Sequence, residues 1–136
     1  MVKLIIGLKG SGKTKTLINL ANEAIKTSES QVVVITKGSA LMHEIKYAAR
    51  LIDVDDYEID SARSLYGLLA GITAANHDTR EIFIDGMMRI SKVDPENYEK
   101  FITLLVELAK KNDLNVYLTL SKSPDELSET LKALVI

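Results

Sequence analysis

The sequence predicts an α/β domain in which a mainly parallel sheet lies between two layers of helices, a three-layer α/β/α sandwich. Three observations predict it. Short apolar runs recur along the chain: Leu4-Ile5-Ile6, Val32-Val33-Val34-Ile35, Ile82-Phe83-Ile84 and the stretch from Val116 to Leu120. Runs of this length without polar alternation are typical of strands buried on both faces. Between them lie segments with helical spacing, and that alternation marks βαβ units. Finally, the chain has 136 residues, 46% of them apolar and 26% charged. That is enough to close one core without disulfides or metals. With no repeat, low-complexity tract or linker, residues 1–136 are expected to form a single domain.

Taken in order, Leu4 to Gly7 reads as the first strand. A helix follows from about Lys13, with Leu17, Leu20, Ala21, Ala24 and Ile25 on one face. Val32 to Ile35 is the second strand. The stretch from Ser39 to Leu51 has a weak helical period, and Tyr57-Glu58-Ile59 reads as a short strand. Leu65, Leu68, Leu69 and Ile72 share a face of a helix that starts after Asp60 or Ser61. Ile82 to Ile84 is a strand ending at Asp85. Asp94-Pro95 reads as an N-cap with proline at the first helical position, opening a helix through Phe101, Leu104, Leu105 and Leu108. Val116 to Ser121 is the last strand. Ser123-Pro124-Asp125-Glu126 reads as a capping box opening a terminal helix through Leu127, Leu131 and Leu134.

Composition excludes several classes of chemistry. A formal charge of −2 with dispersed lysines gives no indication of nucleic-acid binding. Cysteine is absent, which excludes thiol catalysis, disulfides and Cys-based zinc sites. His43 and His77 have no ligand-like spacing. The apolar stretch at the N-terminus is too short for a signal peptide, and no window has the length of a membrane span. A cytoplasmic protein without membrane contact is expected.

Residues 7–14, GLKGSGKT, match G-x-x-x-x-G-K-[ST] in full, with a strand before and an amphipathic helix after. The chemistry explains the spacing. Gly7, Gly10 and Gly12 permit backbone conformations and close approaches that a Cβ forbids, so that successive N–H groups can wrap a phosphate at a helix N-terminus. Lys13 is expected to reach the outer phosphates, and the Thr14 hydroxyl to ligate Mg²⁺. The expected phosphate-binding set is Gly7, Lys9, Gly10, Ser11, Gly12, Lys13, Thr14 and Lys15. Lys9 stands four residues before Lys13, not the five of the ParA-like signature lysine, and reads as a solvent-facing residue near the phosphates.

Ile82-Phe83-Ile84-Asp85 has the apolar-strand-then-Asp pattern that completes such a metal site, so Asp85 is expected to hold Mg²⁺ with Thr14. Lys13, Asp85 and Ser121 are the candidate catalytic residues, Ser121 as a sensor of the outer phosphate at the end of the last strand. Thr119 lies one pleat earlier on the same face. Gly86 follows Asp85 where many ATP hydrolases carry a glutamate, and Thr36-Lys37-Gly38-Ser39 after the second strand holds no carboxylate before Glu44. No general base is evident. Arg89 is the arginine best placed to complete a site in an oligomer. The loop from Gly86 to Asp94, with Met87, Met88 and Ile90 beside Arg89 and Lys92, reads either as a homo-oligomer or protein-partner surface or as packing beneath the next helix. No N/T-K-x-D guanine signature occurs, so ATP is expected over GTP. No arginine follows Arg89, which disfavours a small-molecule kinase with an arginine-bearing lid.

The order of these elements resembles the RecA-like core of P-loop NTPases. Through GLKGSGKTKTLINLANEA, IDSARSLYGLLAGI and EIFIDGMMRI, the whole chain resembles a family of small, uncharacterised bacterial ATP-binding P-loop proteins, some labelled twitching motility PilT. The resemblance implies a RecA-like fold and ATP with Mg²⁺ as ligands. It also implies acidic residues after the second strand, where this chain has Lys37-Gly38-Ser39. Two functional readings stand: an ATPase that is slow or activated by a partner, and a nucleotide-binding switch with negligible hydrolysis.

Overall fold

Strand and helix alternate from the first residues onward. The computed structural model describes residues 1–46 and 48–136, and its elements are β1 (Val2–Ile6), α1 (Lys13–Thr27), β2 (Gln31–Thr36), β3 (Arg50–Asp53), α2 (Ala62–Ala75), β4 (Thr79–Ile84), α3 (Met87–Ile90), α4 (Tyr98–Asn112), β5 (Asn115–Leu120) and α5 (Glu129–Lys132). The five strands form one parallel sheet in the order β1-β5-β4-β2-β3. Among the described residues, no helix is long and apolar enough to cross a membrane.

Strand alternation sorts the core into two halves. Val2, Leu4, Val33, Ile35, Ile82, Ile84, Val116 and Leu118 point to one face, where α2, α3 and α4 bury Leu65, Leu69, Met87, Ile90, Ile102 and Leu105 against them. Ile5, Val32, Val34 and Phe83 point to the other, beneath Leu17 and Ala21 of α1 and Leu41 and Ile45 of the segment after β2. Helices on both faces are compatible with the expected three-layer arrangement. β1 lies at one end of the strand order, and the chain end supplies it with further partners: the Leu4 N–H donates to the Leu134 carbonyl, and the Ile136 N–H to the Leu4 carbonyl. This pairing satisfies backbone groups that an edge strand otherwise leaves open.

Four local expectations are corrected. Residues 39–46 form turns, and the chain re-enters the sheet as β3, so the stretch from Ser39 to Leu51 is not one helix; Tyr47 within it lies outside the described residues. The weak period arises because Leu41 and Ile45 pack on the sheet from a turn. Tyr57-Glu58-Ile59 is not a strand: a 3₁₀ turn spans Val54–Tyr57, and Glu58 closes it at φ 55°. Asp94 does stand at an N-cap with Pro95 in the first position, but of a 3₁₀ turn over Pro95–Asn97 that leads into α4, and its side chain makes no cap bond there. Its Oδ1 accepts from the Ala62 N–H at 2.7 Å and so helps start α2, beside the reciprocal Ser61–Ser64 box. The C-terminal helix is only α5: the Glu126 carboxylate does reach back to the Ser123 N–H at 2.9 Å, but it closes a 3₁₀ turn that ends at Leu127.

Phe83 and Tyr117 stack on the α1 side with ring centroids 5.0 Å apart. Burial, and secondarily the Glu81 carboxylate, push the Tyr117 phenol above its usual 10.0. A group with a raised native pKa contributes stability below its unfolded value and loses it as pH rises through the native value. An alkaline titration followed by tyrosinate absorbance is therefore expected to show a late-ionising phenol. Stability should fall as it ionises, and Tyr117→Phe should remove that step. An unchanged late step in the variant would assign it elsewhere.

Candidate functional site

The parallel strands all end on one edge of the sheet, where open α/β sheets hold their ligand sites. β1 leaves the sheet at Ile6 and enters the glycine loop. Gly7 adopts φ 153°, and a Cβ there would lie 2.3 Å from Ser11 Oγ. Gly10 and Gly12 are left-handed at φ 85° and 92°. These turns bring the chain back into α1, whose N-cap is Gly12, without a side-chain cap. The first turn of α1 contains Lys13 and Lys15 and no acidic residue. Uncapped N–H groups and two lysines at the positive end of a helix dipole are unfavourable for the helix by itself, and they suit an anion bound at that end. Lys13 folds over the loop, its Nζ donating to the Leu8 carbonyl at 3.1 Å. Lys9, Ser11 and Lys15 are exposed on the same loop and first turn.

Asp85 follows directly after β4 and is 2% exposed. Its backbone N–H donates to the Ile35 carbonyl of β2, which fixes where the side chain starts. Thr14 Oγ1 donates to Asp85 Oδ1 at 3.1 Å and lies 3.4 Å from Oδ2, across a sequence separation of 71 residues. Thr119 Oγ1 donates to Oδ1 at 3.1 Å, and the same hydroxyl accepts from the Gly86 N–H at 2.7 Å. Arg89 Nη2 donates to Oδ2 at 3.2 Å. A buried carboxylate thus holds two hydroxyls and one guanidinium, directly beside the glycine loop.

The structure brings Lys13, Thr14 and Asp85 to the one edge, and it brings Thr14 and Asp85 into contact. Ser121 lies beyond the end of β5 and is exposed. The residue of that strand that reaches Asp85 is Thr119. The register explains this: Ile84 pairs with Leu118, so the next residues, Asp85 and Thr119, stand side by side. Arg89 reaches Asp85 within its own chain, because the single turn of α3 returns it toward the strand end. In the Gly86–Asp94 loop, Met87 and Ile90 are buried in the core, while Val93 is 64% exposed. Beyond β2, the acidic residues that its own sequence lacks arrive from the end of β3 and the 3₁₀ turn after it: Asp53 accepts from the Gly38 N–H at 2.9 Å, and Asp55 pairs with Lys37. A groove of about 430 Å³ between α2 and α4, lined by Arg63, Tyr66, Lys100 and Phe101 among others, is separate from these residues.

Among the described residues there is no cluster of three or more His, Cys, Asp or Glu that could enclose a metal by itself. One carboxylate and one hydroxyl in contact are nevertheless the donor set that Mg²⁺ takes from a protein when phosphate oxygens and water complete its shell. The Thr14–Asp85 pair fits that role. No protein-family model matches the chain, and no curated protein matches it.

Proposed function

We propose that this chain binds Mg²⁺-complexed ATP on the loop from Gly7 to Thr14, as a P-loop NTPase of the RecA-like kind. The observation that carries the reading is the approach of Thr14 to Asp85 at 3.1 Å beneath a glycine loop with three positive-φ positions. Neither residue needs the other for its local element, and their convergence has a direct use in holding a phosphate-bound cation. The strand order supports the same reading, because β5 lies between the strand that feeds the loop and the strand that ends in Asp85.

In this reading the loop N–H groups and Lys13 bind the phosphates, Thr14 and Asp85 hold Mg²⁺, and Thr119 fixes the rotamer of Asp85. Bound Mg²⁺ neutralises phosphate charge and orients the terminal phosphoryl group. Hydrolysis also needs a group that activates water. Gly86 stands next to Asp85 at φ 80°, and Asp53 and Asp55 are engaged by Gly38 and Lys37. These features favour slow or partner-activated turnover, and they are also what a nucleotide-responsive switch without appreciable turnover requires.

The test is ATP and GTP binding with and without Mg²⁺, together with turnover over a range of protein concentrations. Asp85→Asn is expected to bind ATP in EDTA about as well as wild type and to lose most of the gain that Mg²⁺ gives. Turnover that rises with self-association supports the activated ATPase, and tight binding with negligible turnover supports the switch. Equal affinity for ATP in wild type and Lys13→Ala overturns the proposal.

A further inference from the structure

We propose that Arg89 is a resident counter-cation for Asp85 that a divalent metal must displace, so that this arginine sets how strongly metal and nucleotide binding are coupled. The inference rests on the nucleotide reading above and deepens it.

Arg89 Nη2 lies 3.2 Å from Asp85 Oδ2, and Thr14 Oγ1 lies 3.4 Å from that same oxygen. Oδ1 is the oxygen closer to Thr14, at 3.1 Å, and it also accepts from Thr119; Oδ2, still within reach of the Thr14 hydroxyl, is the one already held by a cation of the chain itself. A buried carboxylate is costly without a positive partner, and Arg89 supplies one in the absence of metal. The pair is asymmetric: the Asp85 side chain is 3% exposed and that of Arg89 is 58% exposed. The guanidinium can therefore swing into water at little desolvation cost, while the carboxylate stays fixed by Thr119 and Thr14.

Gly86 permits the arrangement. A Cβ at that position would lie 2.5 Å from Arg89 Nη2 and 2.6 Å from Nε. The absence of a side chain next to Asp85, which removes a water-activating carboxylate, is also what opens the space that the guanidinium fills. A divalent cation at Thr14 and Asp85 would meet both the competition for Oδ2 and the repulsion of a neighbouring positive charge. Metal binding then releases Arg89, and Arg89 opposes metal binding by the same free energy.

The experiment compares the Kd of ADP and of a non-hydrolysable ATP analogue, in Mg²⁺ and in EDTA, for wild type, Arg89→Met, Arg89→Lys and Gly86→Ala. The ratio of the Kd in EDTA to that in Mg²⁺ is expected to rise roughly ten-fold in Arg89→Met, within the usual range of coupling between sites. Arg89→Lys keeps a charge at the position and should stay near wild type. Gly86→Ala should move toward Arg89→Met, since its methyl group expels the guanidinium; a melting curve checks that the left-handed position tolerates alanine. A ratio in Arg89→Met equal to or below that of wild type overturns the proposal. If that occurs while binding still depends on Lys13, only the role of Arg89 fails. If binding is independent of Lys13, the nucleotide reading fails as well.

Discussion

Lys13→Ala is expected to weaken binding of Mg²⁺-complexed ATP by roughly a hundredfold, which corresponds to about 3 kcal/mol, and to leave the melting temperature of the ligand-free protein unchanged. The side chain makes one bond, to the Leu8 carbonyl at 3.1 Å, and that contact is exposed. Nothing in the core depends on it: the buried residues of α1 are Leu17 and Ala21. Alanine is also the better helix former, so the first turn loses a lysine that its dipole disfavours. The favourable role of the ammonium begins only when phosphate oxygens are present, where a charge-assisted hydrogen bond contributes about 1.5–3 kcal/mol and two such bonds are available. Isothermal titration with ATP beside thermal denaturation separates the two quantities. A variant that binds as wild type does, or that loses affinity only because it has partly unfolded, would show that Lys13 is not the phosphate ligand.

Much of this site is legible in the sequence because its signals are local. The glycine loop is fixed by spacing within residues 7–14, and Asp85 by its place directly after an apolar strand. The parts that are not legible are set by contacts between distant segments. Thr119 and Ser121 are both polar and share a face of the last strand, so alternation alone does not distinguish them. The ladder decides, because β5 pairs with β4 only to Leu118 and with β1 only to Leu120. Thr119 is therefore held inside the sheet against Asp85, and Ser121 lies outside it. β3 escapes a reading by pattern because only Leu51 and Ile52 are apolar between Arg50 and Asp53, too few to show a period. The return of Arg89 onto Asp85 depends on a four-residue helix, which has no periodicity to read, and on the space left at Gly86. Tertiary pairing, not local propensity, positions each of these residues.

Thr119→Val is expected to cost the fold about 3 kcal/mol, a drop of roughly 10 °C in melting temperature for a domain of this size. The substitution keeps the shape and removes only the hydroxyl. Thr119 is 1% exposed, and its hydroxyl has two partners: it accepts from the Gly86 N–H at 2.7 Å and donates to Asp85 Oδ1 at 3.1 Å. Valine leaves a backbone N–H without its acceptor and deprives a buried carboxylate of one of its donors, and losses of this kind cost about 1–3 kcal/mol each. Thr119→Ser retains both bonds and gives up one methyl group, so it should cost only about 1 kcal/mol. The two variants also separate structure from ligand binding. With the hydroxyl gone, Asp85 keeps Thr14 and Arg89 but loses the contact that anchors Oδ1 from within the sheet, so the Mg²⁺-dependent gain in ATP affinity should shrink in Thr119→Val and persist in Thr119→Ser. Denaturant titrations of both variants provide the check, followed by ATP binding with and without Mg²⁺ on the folded fractions. If valine is tolerated to within about 0.5 kcal/mol, the range of ordinary surface substitutions, then Thr119 does not anchor Asp85, and the carboxylate is held by Thr14, Arg89 and its own backbone bond to Ile35.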